Sequence, residues 1–172
     1  MKAANKEISG QMLPAMISAE ALAQIDHWLA KYPPEKKMSA VIPALTIVQD
    51  ENGGWLSNSL MDAVAAYLDM PTIAVYEVAT FYSMFELKPV GRHKIAVCTN
   101  ISCMLRGSDE ILHHLEKNLG VRPGETTADG KFTVKEVECL AACGGAPMFM
   151  IGMRYYENLT PDKVDEILAS MD

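Results

Sequence analysis

Residues 95–103 have the sequence IAVCTNISC, and residues 137–143 have the sequence VECLAAC. Apolar and β-branched residues precede the first cysteine of each stretch, which predicts that each cysteine pair begins where a short strand ends. Four residues separate Cys98 from Cys103, three separate Cys139 from Cys143, and thirty-five separate the two pairs. The chain has no other cysteine. We therefore expect two loops to deliver four thiols to one site.

Four converging thiolates favour a soft metal, chiefly zinc or an iron–sulfur cluster. Zinc ribbons usually have two residues between paired cysteines, because a tight turn aims both sulfurs at one ion. The loops of this chain are wider. Two iron atoms need two thiolates each, so each loop fits one side of a binuclear cluster. A zinc-stabilised interaction module would use the same thiolates, and that alternative stays open.

Three other roles for these residues fit the pattern less well. Four isolated buried thiols would not be expected to occur as two pairs at strand ends. A thiol–disulfide enzyme normally has its two cysteines two residues apart at a helix start. Histidine ligation by His113 and His114 would require adjacent helical residues to converge, although they point about 100° apart.

The composition excludes several classes of function. The 172 residues include 15 Lys and Arg against 22 Asp and Glu, for a net charge of −7, which works against binding nucleic acid. Apolar stretches fall far short of the ~20 residues that a membrane-spanning helix needs. The first residues lack the apolar segment and cleavage site of an export signal, so we expect a cytoplasmic protein that does not insert directly into a membrane.

The first half of the chain has the apolar spacing of helices, and near Lys88 the pattern changes to short β runs. We therefore predict an α+β protein, with an N-terminal helical domain over 1–88 and a small α/β domain over 89–172. The expected helix starts of the first half are Ser18, Val41, Ser59 with Asp62 as its capping partner, and Thr72.

The second half has the element order of a thioredoxin-like sandwich. The expected elements are a strand over 93–99, a helix from Gly107 or Ser108 to Gly120, a hairpin of 125–128 with 131–138 around Asp129-Gly130, a second hairpin over 148–157, and a helix opened by Thr160 and Pro161.

Four stretches carry a resemblance to a known family. They are IPALTIVQDENGGWLS at 42–57, VATFYSMF at 78–85, GRHKIAVC at 91–98 and CLAACGGAPMFMI at 139–151. With these motifs the chain resembles the family of the E subunit of respiratory NADH:quinone oxidoreductase, known as complex I. The similar pattern runs from about residue 15 to the C-terminus.

The resemblance implies a helical N-terminal domain followed by a thioredoxin-like domain that holds one 2Fe-2S cluster. Its four ligands would be Cys98, Cys103, Cys139 and Cys143. It also implies an electron-transfer subunit of an enzyme, NADH:quinone oxidoreductase, with no complete active site of its own. This subunit would accept single electrons from FMN on a partner subunit that binds NADH. The complex would hold the subunit at the inner membrane, on the cytoplasmic side.

The sequence is consistent with nucleotide binding by a partner subunit and not by this chain. It has no G-x-G-x-x-G fingerprint opening a βαβ unit and no Walker loop, so no nucleotide site is expected in this chain. The local motifs also fit a similar subunit of an NAD-linked hydrogenase or formate dehydrogenase, which remains the nearest alternative host.

Overall fold

A computed structural model describes residues 12–171 of the chain. The chain divides into two compact units, one ending at Pro89 and the other beginning at Val90. The described part of the first unit is helical, whereas the second unit contains a four-stranded mixed sheet with helices. The predicted α+β class is confirmed. The assignment of 1–88 and 89–172 as separate domains stays a prediction.

The described part of the first unit contains four α-helices and two short 3-10 helices. The α-helices are α1 (Ala19–Leu29), α2 (Val41–Glu51), α3 (Asn58–Tyr67) and α4 (Thr72–Phe81), and the 3-10 helices are Leu13–Ala15 and Pro34–Ala40. Each α-helix buries apolar side chains at helical spacing, as the sequence pattern predicts.

Two of the predicted helix caps in this unit are wrong. The cap of α3 is Ser57 rather than Ser59, and the Ser57 hydroxyl accepts a hydrogen bond from the Leu60 amide at 3.2 Å. Ser57 has the extended backbone that a cap requires, whereas Ser59 already lies inside the helix. Thr72 is the first residue of α4 and makes no side-chain cap.

One buried polar side chain holds the segment that follows α4. Gln49 donates to the Met84 carbonyl at 3.3 Å and accepts from the Glu86 amide at 2.8 Å. The Glu86 carbonyl then accepts from the Leu56 amide at 2.7 Å. Phe85 is buried in the helical core, whereas Phe81 is largely exposed.

The second unit contains four strands, three α-helices and one 3-10 turn among its described residues. Its elements are β1 (His93–Cys98), α5 (Ile101–Leu105), α6 (Ser108–Leu119), β2 (Phe132–Val137), a 3-10 turn (Cys143–Gly145), β3 (Phe149–Ile151), β4 (Arg154–Tyr156) and α7 (Pro161–Ala169). The strand order across the sheet is β2-β1-β3-β4. β1 pairs in parallel with β2 and antiparallel with β3, and β3 pairs antiparallel with β4.

The two faces of β1 have different surroundings. Ile95 and Val97 belong to the main core, which also contains apolar side chains of α6, β2, β3 and α7. Because successive side chains of a strand point to opposite faces, Cys98 points to the other face. There it packs in a separate small cluster with Cys103, Ala146 and Met148.

Most of the expected second-unit elements are confirmed, with two corrections. Residues 100–104, expected to form a loop, instead belong largely to α5, a short helix that Asn100 caps. The expected hairpin at Asp129-Gly130 forms only in part: the Thr127 amide donates to the Phe132 carbonyl at 2.8 Å, but the first arm contains a single bridge, between Thr126 and Thr133, and no strand.

Among residues 12–171, no helix has the length and apolar character needed to cross a membrane.

Gly91, just before β1, allows a close approach of two backbones. A Cβ at this position would lie 2.9 Å from the backbone C and N atoms of Phe132. The Gly91 amide also donates to the buried Thr133 hydroxyl at 2.7 Å. We expect Gly91→Ala to lower the free energy of unfolding by about 1–3 kcal/mol, measured by urea denaturation, because the strand start must shift.

Gly144→Ala is the matched control, since a Cβ there meets nothing within 4 Å and its φ is not positive. Its stability should stay within about 0.5 kcal/mol of the parent chain. Equal stabilities for the two variants would contradict the close packing of Gly91.

Candidate metal centre

The first cysteine pair comes from the end of β1 and from α5. Cys98 is the last residue of β1 and is 4% exposed, and Cys103 lies within α5 and is 3% exposed. Asn100 starts α5, because its side-chain oxygen accepts from the Ile101 amide at 2.7 Å and its carbonyl accepts from the Met104 amide at 2.9 Å. The turn of α5 therefore carries Cys103 back toward Cys98.

The structure brings three of the four thiols into one neighbourhood. Cys98 and Cys103 pack in the same small cluster, and Cys143 is near enough for its charge to act on Cys103. Burial, followed by these two sulfur neighbours, raises the pKa of Cys103 to about 11. The Cys98 thiol also donates to the Glu138 carbonyl at 3.9 Å. Glu138 directly precedes Cys139, so this contact links the end of β1 to the segment that carries the second cysteine pair.

The second pair lies in the loop between β2 and β3, and both of its cysteines are exposed. Cys139 comes two residues after the end of β2, and Cys143 begins the 3-10 turn. The Cys139 sulfur accepts a hydrogen bond from the Ala141 amide at 3.3 Å. The sulfurs of the site are thus unequal, with one pair shielded from water and the other open to it.

An apolar wall lies behind the buried pair. Ala146 is 2% exposed and Met148 is 1% exposed, and both pack against Cys98 and Cys103. The Met148 carbonyl accepts from the Cys98 amide at 3.2 Å, which ties the loop before β3 to the end of β1. Met148 therefore fills the interior beside the cysteines.

The glycine pair after Cys143 has two different surroundings. A Cβ on Gly144 would meet nothing within 4 Å, so this position leaves open space beside the loop. A Cβ on Gly145 would lie 2.6 Å from the Cβ of Glu157. Gly145 is thus required for the packing of Glu157, a close approach that the sequence did not indicate.

The two histidines lie away from this group. His113 is exposed on α6. His114 pairs with Asp165 of α7, with 2.7 Å between Nε2 and Oδ1. The structure thus gives His114 a partner between two helices and does not bring it to the cysteines.

The donor set fits a 2Fe-2S cluster in number and in chemistry. All four cysteines are free thiols, and four thiolates are the ligands that such a cluster takes. Within residues 12–171, no three His, Cys, Asp or Glu side chains lie close enough together to hold a metal ion, and this includes the four cysteines, so the fit rests on the number and chemistry of the thiols.

Comparison with known proteins places this centre in a family. The sequence model of one protein family, Thioredoxin-like [2Fe-2S] ferredoxin, matches residues 25–172. The chain belongs to this family. The expected thioredoxin-like domain is thereby confirmed, and so is the resemblance to the E subunit of NADH:quinone oxidoreductase.

Two curated members of the family illustrate the similarity. The E subunit of NADH-quinone oxidoreductase from Rickettsia conorii is 53% identical over 143 residues, which cover 83% of this chain and 86% of that protein. NADH dehydrogenase [ubiquinone] flavoprotein 2, mitochondrial, of Dictyostelium discoideum is 45% identical over 90% of this chain and 62% of that protein. Both names are those of oxidoreductase components.

Solved structures show the same fold in larger chains. The NAD+-reducing [NiFe]-hydrogenase in its H2-reduced state matches 67% of this chain with a TM-score of 0.60 and 21% identity. The air-oxidized state matches 63% of this chain with a TM-score of 0.58 and 22% identity. This chain spans about a fifth of the length of those hydrogenase chains. At such identities the similarity shows the fold alone.

Sequence reasoning missed one contributor to the site and located another only in part. Asn100 directly before an apolar segment is a recognisable helix cap, so α5 could have been found from the sequence. The glycine-containing loop over 140–145 predicts main-chain N–H groups turned toward sulfur, and the Ala141 amide confirms this; the sequence does not indicate which residue donates, because a left-handed backbone is not expected of an alanine.

The difference in burial predicts an order of chemical modification. In the metal-free chain, we expect iodoacetamide to label Cys139 and Cys143 at least about tenfold faster than Cys98 and Cys103. Burial blocks access to the inner pair, and the raised pKa of Cys103 keeps that thiol protonated at neutral pH. Peptide mass spectrometry after partial labelling measures the four rates.

Labelling in concentrated urea is the control, in which all four cysteines should react at similar rates. Labelling of Cys103 ahead of Cys139 under native conditions would contradict the arrangement.

Proposed function

We propose that this chain is the electron-transfer subunit of an NADH-oxidising, quinone-reducing complex. In that role it accepts single electrons from FMN on a partner subunit, which also binds NADH. The observation that carries the proposal is a set of four free thiols in a family whose curated members, at about half identity, are named as the E subunit of NADH-quinone oxidoreductase.

We assign Cys98, Cys103, Cys139 and Cys143 as the ligands of one 2Fe-2S cluster. When bound, such a cluster supplies a one-electron redox couple at low potential. The division of work follows from electron counting: NADH delivers two electrons as a hydride to the partner's flavin, and these must leave one at a time. A one-electron acceptor next to the flavin meets that need.

The chain's own residues set the conditions at the centre. Cys98 and Cys103 hold their sulfurs behind the apolar wall of Ala146 and Met148, which excludes water from one side. The exposed sulfurs of Cys139 and Cys143 leave the other side open to a partner. This asymmetry suits a centre that must be protected from solvent and still lie near an external electron donor.

A partner is also supported by the surface beside the centre. Ile101, Met104 and Leu105 of α5 are 66%, 49% and 76% exposed, although they flank the buried Cys103. Apolar side chains of this kind are common at protein interfaces. Through such contacts the complex would hold the chain peripheral to the inner membrane, on the cytoplasmic side.

Substitution within the assembled complex tests the ligand assignment. Cys139→Ala should lower the NADH-reducible 2Fe-2S signal of this subunit by more than about tenfold in electron paramagnetic resonance, because one iron loses a ligand. His113→Ala is the matched control and should leave the signal intact, since His113 is exposed on α6. An undiminished signal in Cys139→Ala would contradict the assignment.

Isolation of the native complex through a tag on the full chain distinguishes the possible hosts. The proposal expects a flavin- and NADH-binding subunit together with quinone-reducing components. Recovery of nickel–iron hydrogenase or formate dehydrogenase subunits would instead favour the alternative host.

A further inference from the structure

Ala141 has an unusual backbone for its residue type. Its φ is 58°, in the left-handed region that residues with a Cβ rarely adopt, and its side chain is exposed. Its neighbour Ala142 has φ −116°, an ordinary value. Two alanines side by side in one loop therefore differ in backbone conformation but not in side chain.

The packing on both sides of Ala141 explains how this conformation persists. Leu140 and Ala142 are half-buried and pack against the cluster of Cys98, Cys103, Ala146 and Met148. With both neighbours anchored, the residue between them must complete the turn. Such unfavourable backbone conformations are kept where the surroundings determine them, and they concentrate at functional sites.

The turn gives one main-chain amide a specific target. The Ala141 N–H donates to the Cys139 sulfur at 3.3 Å, across a gap of two residues. The Cys139 sulfur is exposed and has no apolar cover comparable to that of Cys98. The Ala141 amide places a fixed dipole beside this sulfur. Amide donors aimed at ligand sulfurs are one of the means by which proteins set the potential of an iron–sulfur centre.

We propose that Ala141 is a positioning residue for the metal centre: its amide donates to the Cys139 sulfur and thereby raises the reduction potential, while its left-handed φ turns the chain so that Ala142 packs against the apolar cluster. The inference rests on the proposed function, because it requires Cys139 to be a cluster ligand. Its physical basis is electrostatic. Reduction adds negative charge to the thiolate-bound centre, and an N–H donor stabilises that charge more than it stabilises the oxidised state.

A backbone ester tests the amide without changing the side chain. Replacement of Ala141 by its ester counterpart, lactic acid, removes the N–H and keeps the methyl group. We expect a redox titration of the iron-loaded full chain to give a more negative midpoint potential for this ester than for the parent. The same ester at position 142 is the matched control and should give a shift less than half as large.

A second measurement detects the hydrogen bond directly and does not depend on the ester protein folding. Pulsed electron paramagnetic resonance of the reduced chain, labelled with 15N-alanine, should show an amide nitrogen coupling. Ala141→Gly keeps the N–H and tolerates a positive φ, so the potential should stay at the parent value while the 15N coupling disappears. Ala142→Gly should retain the coupling.

The outcomes separate failure of the inference from failure of the proposed function. A 2Fe-2S signal whose 15N coupling survives in Ala141→Gly would overturn the inference, and so would an unchanged potential in the ester at 141. Absence of any 2Fe-2S signal from the iron- and sulfide-loaded parent chain would overturn the proposed function, and the inference with it.

Discussion

The pairing of β1 with its two neighbours is the constraint on which the centre depends. β2 runs parallel to β1, so the segment that follows β2 emerges at the same edge of the sheet as Cys98. β3 runs antiparallel to β1, so the segment that precedes β3 begins at that edge as well. One loop between β2 and β3, carrying Cys139 and Cys143, therefore returns beside the end of β1.

This topology also makes the four sulfurs unequal. The end of β1 and the turn of α5 point inward, against Ala146 and Met148, whereas the loop after β2 lies at the surface. Burial of thiolates is costly unless a metal and hydrogen-bond donors compensate for their charge. As thiolates, the buried pair would need a bound metal to compensate for their charge, whereas the exposed Cys139 has solvent and the Ala141 amide beside it.

Much of the fold could be predicted because its signals are local in the sequence. Apolar periodicity, the Gly120 stop and the cap at Thr160 define most helices and are confirmed. The sequence does not decide between two possible helix caps that lie within a few residues of each other, such as Ser57 and Ser59. The close fit of Gly145 on Glu157 and the positive φ of Ala141 arise from tertiary packing, which no local pattern carries.

Metal analysis of the full chain, purified without oxygen, tests the central claim most directly. The account predicts about two iron atoms and about two acid-labile sulfide ions per chain, with the visible absorption of a 2Fe-2S cluster. One zinc ion per chain in a colourless protein without sulfide would contradict it, because the same four thiols would then serve a structural site.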